Sequence, residues 1–413
     1  MTDAPARTPN AKHFVILLGW VSLFADLCYE GMRSALGPYL ALLGASATAV
    51  GVVSGTGEAL GYALRYWSGA LADRTRRYWA LTIVGYATNL VAVPLLALAG
   101  SWPLVAVLVG VERLGKAIRS PAKSTLTSFA AADLGAGKAF AIAEAMDQTG
   151  ALIGPLAVAG VLAWRGHSVE GFGWAFALLA IPAVITLAIL MRARSLYPDP
   201  HALDTGTAGA GGGSFGATYR LYLVGVALVA IGLADWPLLA YHLELRGVVG
   251  AAWLPVAYAA AMGLDGVVAL IAGTAFDRSR KRGGTGAGVL AAFVLVGAAY
   301  APLVLAADAA VPWFAIAGVA LWSIARSATE SIGKSLIAAI VPRDERGRAY
   351  GLYYVVFGVA WWAGSILLGA LYDRDLAATS IVAAAALVAG GVVIGVSARV
   401  KAASSSSSSE SSS

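Results

Sequence analysis

An all-α membrane protein, with twelve transmembrane helices in two pseudo-symmetric six-helix bundles, is the fold class predicted by three observations. The chain is 59% hydrophobic and only 13% charged, where soluble globular chains carry about 25% charged residues. Its apolar residues gather into runs long enough to cross a bilayer, which takes about 20 residues per helix. One basic stretch also occurs twice. Gly69-Ala-Leu-Ala-Asp73-Arg74-Thr-Arg76-Arg77 returns as Gly273-Thr-Ala-Phe-Asp277-Arg278-Ser-Arg280-Lys281. Both copies read G-x-x-x-D-R-x-basic-basic between apolar runs, and a fixed internal offset of this kind marks a duplicated architecture.

The runs place spanning helices at 14–43, 48–72, 78–99, 102–124, 138–164 and 171–192, then at 218–245, 251–276, 286–307, 312–341, 347–372 and 377–398. Many are rich in Gly and Ala, which lets helices approach closely in lipid. Residues 1–13 form an N-terminal tail. The polar break 193–217 contains Pro198, Pro200 and a run of glycines, the composition of a flexible linker. It divides the chain into bundles at 14–192 and 218–398. The serine-rich tail 399–413 is expected to be disordered. Most of the 29 Lys and Arg residues fall in loops on one side, whereas the opposite loops hold only Arg165, Arg246 and Arg374. The positive-inside rule therefore puts both termini in the cytoplasm, as expected for a multi-pass protein of the cytoplasmic (inner) membrane.

Composition also excludes function classes. The net charge of +6 is spread over short loops rather than one soluble face, so nucleic acid is not an expected partner. One cysteine, Cys28, and four scattered histidines argue against a disulfide framework or a metal site. No phosphate-binding loop, nucleophile–base arrangement or soluble catalytic domain is evident, so the chain is not expected to be an enzyme or to use a cofactor.

Two six-helix halves, a central linker and the G-x-x-x-D-R-x-basic-basic stretch after helices two and eight resemble the major facilitator superfamily. The resemblance covers about residues 14–398. Thr75 and Ser279 stand where that family usually has Gly. A second family element, G-x-x-x-G-P in helix five, is matched by Gly150-Ala-Leu-Ile-Gly154-Pro155. It is similar to the helix-five motif of drug–proton antiporters, although Val158 breaks the antiporter continuation. Asp26-x-x-Tyr29-Glu30 and Arg113-Leu-Gly-Lys116-x-x-Arg119 resemble a branch of bacterial permeases. The resemblance implies a transporter that works by alternating access as a monomer in the bilayer, with a small-molecule substrate and a proton gradient as energy source. It also implies that helices one, four, seven and ten line the central cavity.

The charges inside the apolar runs agree with that implication independently. An ionisable residue at a helix centre costs about 2.5–3.5 kcal/mol on insertion scales, so these groups are expected to face one another or a wet cavity. Asp26, Glu30 and Arg33 fall on one face of helix one. Glu112, Lys116 and Arg119 fall on one face of helix four, with Arg113 beside them. Arg326, Glu330 and Lys334 do so in helix ten. Asp235 and Trp236 lie in helix seven. Carboxylates at depth can gain and lose protons, so Asp26, Glu30, Glu58 and Asp235 are the proton-coupling candidates. Tyr29, Arg33, Glu112, Arg113, Lys116, Arg119, Trp236, Arg326, Glu330 and Lys334 are the cavity candidates. Gly69, Asp73, Arg74, Arg77, Glu144, Asp147, Gly150, Gly154, Pro155, Asp265, Gly273, Asp277 and Arg278 are expected to act in gating between the halves. His242 and Glu244 are expected to be solvated. The function expected is proton-coupled export of a small organic compound. The alternatives are a symporter or uniporter for an anionic or zwitterionic metabolite, and a non-transporting membrane sensor or scaffold.

Overall fold

Long apolar runs without water must satisfy every backbone amide internally, which in a bilayer leaves the helix as the open-chain solution. The computed structural model is helical throughout its described residues, 11–134, 136–199, 216–341 and 346–410. The helices are α1 (Ala11–Leu42), α2 (Ala47–Thr75), α3 (Tyr78–Leu95), α4 (Trp102–Leu134), α5 (Ala136–Arg165), α6 (Val169–Leu178) and α7 (Ala180–Leu196). After the linker come α8 (Ala217–Gly232), α9 (Trp236–Leu245), α10 (Leu254–Lys281), α11 (Ala287–Gly297), α12 (Tyr300–Leu305), α13 (Pro312–Ile340), α14 (Arg346–Tyr372) and α15 (Leu376–Glu410). Among the described residues, nine segments are long and apolar enough to cross a membrane. Side chains of Glu58, Gly69, Asp73, Glu144 and Lys334, and residues 200–215 of the linker, lie outside the described residues.

Exposure confirms the solvent. Val107, Val184, Leu270, Ile316 and Ile381 are more than half exposed, while Glu112, Arg113 and Asp235 are at most 4% exposed. An apolar outside around a charged inside suits lipid, since soluble monomers do not leave a belt of this extent bare. The chain is a multi-pass membrane protein.

Within each half, glycines set the helix spacing. A Cβ on Gly154 would meet the Leu27 carbonyl and one on Gly150 the Leu23 carbonyl. The Gly150–Pro155 element therefore packs α5 on α1 inside the N-terminal half, rather than gating between halves as expected. The expected single helix 218–245 is two, α8 and α9. Leu233 is extended, Asp235 accepts from the Trp236 amide as N-cap, and Pro237 follows in the first turn. The freed backbone is satisfied locally. The Ala234 amide donates to the Tyr300 hydroxyl at 2.7 Å, that hydroxyl donates to the Gly232 carbonyl, and Trp322 Nε1 donates to the Ala234 carbonyl.

The repeated basic stretches also differ from expectation. Both are last helical turns rather than loops, because α2 runs to Thr75 and α10 to Lys281. Arg76 then closes α2 in the left-handed conformation, φ 52°. Arg74, Arg77, Asp277 and Arg278 are exposed there, and nothing lies within 4 Å of where a Cβ on Gly273 would stand. Basic side chains in a final turn suit the helix dipole. The serine tract expected to be disordered continues α15 as far as Glu410, propagating from an established helix, where adding residues is far easier than nucleating.

Candidate functional site

Two faces of the molecule can be distinguished. The distal face carries the α1–α2 turn, and the proximal face carries Ala11 and Arg76. At the distal face the halves close on each other. A Cβ on Gly37 would strike the Pro237 carbonyl of α9, one on Gly51 the Ser365 carbonyl of α14, and one on Gly369 the Ala47 carbonyl. Polar contacts reinforce the seam. The Asp373 carboxylate accepts from the amides of Ala47 and Thr48 at 2.9 and 2.8 Å and from the Thr48 hydroxyl at 2.5 Å. His167 meets Glu244 at 3.3 Å. Trp236 Nε1 donates to the Ser34 carbonyl at 3.2 Å.

Between this seal and the proximal face lies a cavity of about 250 Å³. Helix α1 supplies Asp26, Tyr29, Glu30 and Arg33, and α4 supplies Lys116. Arg65 comes from α2, and Asp147 and Gln148 from α5. From the other half come Met262 of α10, Arg326 and Glu330 of α13, and an aromatic wall on α14 of Tyr353, Tyr354, Phe357 and Trp361. Among the described residues, acidic and basic lining residues are equal in number, Asp26, Glu30, Asp147 and Glu330 against Arg33, Arg65, Lys116 and Arg326.

Most of the guanidinium groups are held by specific partners. Arg33 Nη2 lies 2.5 Å from Asp235 Oδ1 across the two halves. Arg326 bonds Asp265 at 3.0 Å and Glu330 at 3.2 Å. Arg113 pairs with its neighbour Glu112 at 3.2 Å, and Asn89 Nδ2 donates to the other Glu112 oxygen at 2.6 Å. Arg119 lies over the Tyr86 ring at 4.1 Å, and Lys116 over the Tyr29 ring at 4.0 Å. Glu30 Oε2 accepts from the Tyr258 hydroxyl at 2.5 Å. Lys123 approaches Asp147 at 3.9 Å and also reaches the Ser22 hydroxyl.

Several expectations are corrected by this geometry. Glu112 and Arg119 turn to Asn89 and Tyr86 of α3, and Arg113 packs beside Gly57 of α2, so none of the three is in the cavity lining. Trp236 is not a cavity wall. It is fully buried in the seal, 4.9 Å from the Tyr258 ring and 5.9 Å from Trp322. Asp265 does not gate between halves but ties α10 to α13 within one of them. Asp147 moves the other way, from the gate into the cavity. His242 is buried, 2.8 Å from the Tyr372 hydroxyl, not solvated. Tyr258 and the α14 aromatics were missed as site residues. Their spacing did carry a signal: Tyr258, Met262 and Asp265 fall at i, i+4 and i+7, and Tyr353, Phe357 and Trp361 at steps of four, each on one face.

Comparison with known proteins adds the following. No family model matches the chain. Uncharacterized proteins of Mycobacterium tuberculosis and Mycobacterium bovis are each 39% identical over 379 residues, covering 90% of both chains. The chain belongs to their family. An uncharacterized MFS-type transporter of Methanocaldococcus jannaschii is 29% identical over 140 residues, 34% of this chain and 35% of that one. Among solved structures, the family member described here resembles a peptide transporter POT with TM-score 0.75 at 15% identity, covering 93% of this chain and 94% of the other. It resembles the nucleoside transporter NupG with TM-score 0.74 at 11% identity, covering 93% and 99%. A bacterial homolog of the human lysosomal transporter Spinster matches with TM-score 0.68 at 14% identity, covering 95% and 96%. The fold is thus that of major-facilitator-type transporters. The drug–proton-antiporter branch gains no support from these neighbours.

Proposed function

We propose that this protein is a secondary active transporter of the major facilitator type, with twelve spans arranged six plus six about the linker 193–217. It moves a small organic compound coupled to protons by alternating access. Both termini lie in the cytoplasm and the protein sits in the cytoplasmic membrane, an orientation supported by the exposed Arg74, Arg77, Arg278, Arg280 and Lys281 on the proximal face. The structure is then the inward-facing, outwardly sealed state. The observation that carries the reading is the charged cavity between the two halves, closed at the distal seam by contacts that bind one half to the other.

Asp26 and Glu30 are the residues assigned to proton coupling. Asp235 is assigned to the seal, since it is occupied by Arg33 and by capping α9. With Arg33 and Arg326 held by carboxylates, the warrant for an anionic substrate weakens. The balanced lining and the aromatic wall favour a neutral or zwitterionic compound, which makes zwitterion transport the second reading. The Gly150–Pro155 element had pointed to export and is accounted for by α1–α5 packing, so a flux assay assigns the direction. The test is reconstitution into liposomes carrying an internal pH dye, with panels of neutral, zwitterionic and anionic compounds. A member of the first two panels should drive a proton flux that Asp26→Asn or Glu30→Gln abolishes. Proton flux driven only by anions, or flux untouched by both substitutions, refutes the assignment.

A further inference from the structure

Helix α1 makes two buried links to the opposite half through ionisable side chains, beside the Trp236–Ser34 hydrogen bond. One joins Arg33 to Asp235, a guanidinium that stays charged with a carboxylate that also caps a helix. The other joins Glu30 to the Tyr258 hydroxyl of α10 at 2.5 Å. Glu30 is 7% exposed and Tyr258 1% exposed. The phenol is not free to wander. Its ring packs on Trp236, which is itself pinned to the Ser34 carbonyl of α1.

We infer that Tyr258 is a positioning residue for the coupling step: its hydroxyl holds ionised Glu30 and so latches the distal closure, and protonation of Glu30 releases the latch. This rests on the reading of the protein as a proton-coupled carrier. The chemistry is that a hydrogen bond to a carboxylate is roughly twice as strong as one between neutral groups. The cationic groups around Glu30 are Arg33 on its own helix, Lys116 on α4 and Arg326 on α13, and Asp26, one turn earlier on α1, is a second carboxylate lining the same cavity. Of the two carboxylates, Glu30 is the one that the Tyr258 hydroxyl reaches. When the halves part at the distal face, α10 moves away from α1 and the bond cannot persist.

The sign follows by linkage. Ionised Glu30 finds the phenol only in the distally closed arrangement, so closure is favoured above the titration of Glu30. That preference is lost as pH falls through it. If ionised Glu30 prefers the closed arrangement by about tenfold, the open-to-closed ratio rises by at most that factor across the titration. Protonation of Glu30, whose carboxylate lines the cavity on the proximal side of the seal, therefore favours opening of the outer face, and its deprotonation favours closure.

The experiment uses the full chain in lipid nanodiscs, with spin labels on Ser101→Cys and Ala309→Cys. Both are exposed positions on the distal face, one in each half, and the native Cys28 is buried. Inter-label distance populations are followed between about pH 5 and pH 9. The long-distance population should grow as pH falls. Tyr258→Phe should reduce this swing by about threefold and move its midpoint upward, because ionised Glu30 has lost its donor. Glu30→Gln should abolish the swing, and adding Tyr258→Phe to it should change nothing further. An unaltered swing and midpoint in Tyr258→Phe overturns the inference. So does equal opening of that variant at every pH, which is the signature of packing alone. The label readout needs no substrate. A normal Tyr258 effect without proton-coupled flux in liposomes sinks the transport reading and leaves the latch. Coupled flux with an unaltered swing does the reverse.

Discussion

Gly37→Ala isolates the distal seal. The methyl would stand against the Pro237 carbonyl oxygen, with Pro237 C at 2.9 Å and Cα at 3.0 Å. Real Cβ atoms do not take such positions, and neither side can yield cheaply. Pro237 is in the first turn of α9, its ring fixing the backbone, and Gly37 is in mid-helix. Overpacking of this kind costs about 1–3 kcal/mol. The cost arises only while the halves are closed, because α1 and α9 belong to opposite halves and separate when the distal face opens. It should therefore appear as a conformational shift of about 5- to 150-fold toward the outward-open state rather than as lost folding stability. The labels on Ser101→Cys and Ala309→Cys read the two populations directly. Gly110→Ala is the matched control, since nothing lies within 4 Å of a Cβ there. If Gly37→Ala changes the population ratio less than about twofold while the chain remains folded, closure is not built on this backbone contact.

Three further outcomes are expected. Arg33→Met should shift the label populations toward the outward-open state more than it changes the melting point in a thermal assay in detergent, because Asp235 is left buried and unpaired only while the halves are closed, and Asp235→Asn added to it should recover much of the shift. Tyr300→Phe removes the hydroxyl that serves both Ala234 and Gly232 at the α8–α9 break, and should cost about 1–3 kcal/mol in the same thermal assay. Partial burial works to raise the Asp373 carboxyl, but the Thr48 hydroxyl and the Thr48 and Ala47 amides outweigh it and hold it below the ordinary carboxylate range. Its contribution to the seam is thus full at neutral pH and lost only as pH falls through that depressed value. Asp373→Asn should open the distal face at neutral pH, and the label distances of variant and parent should converge in strong acid.

Much of this architecture was legible because its signals are one-dimensional. Apolar runs marked the spans, and charge spacing in α1 and α13 marked Asp26, Glu30, Arg33, Arg326 and Glu330 as cavity residues. Choice of partner was not legible, since it depends on which helices touch. Arg33 selects Asp235 and Glu30 selects Tyr258, each more than two hundred positions away. Arg113 and Arg119 lie on the same helix as Lys116, yet the packing of α4 on α2 and α3 puts Arg113 beside Gly57 and Glu112 and lays Arg119 over Tyr86. The α8–α9 break did have a local signature, Asp235-Trp236-Pro237, an N-cap followed by proline in the first turn. Continuous hydrophobicity on both sides masked it. His242 was misplaced because its nearness to the helix end was read as exposure, while Tyr372 of α14 covers it.

Asp235 terminates one helix, neutralises an arginine of the opposite half, and sets the position of the tryptophan beside it. A residue so committed is difficult to exchange singly. Across the family, positions 33 and 235 should therefore vary as a pair, with loss of the guanidinium accompanied by loss of the acid, and an uncharged cap such as Asn or Ser retained at 235.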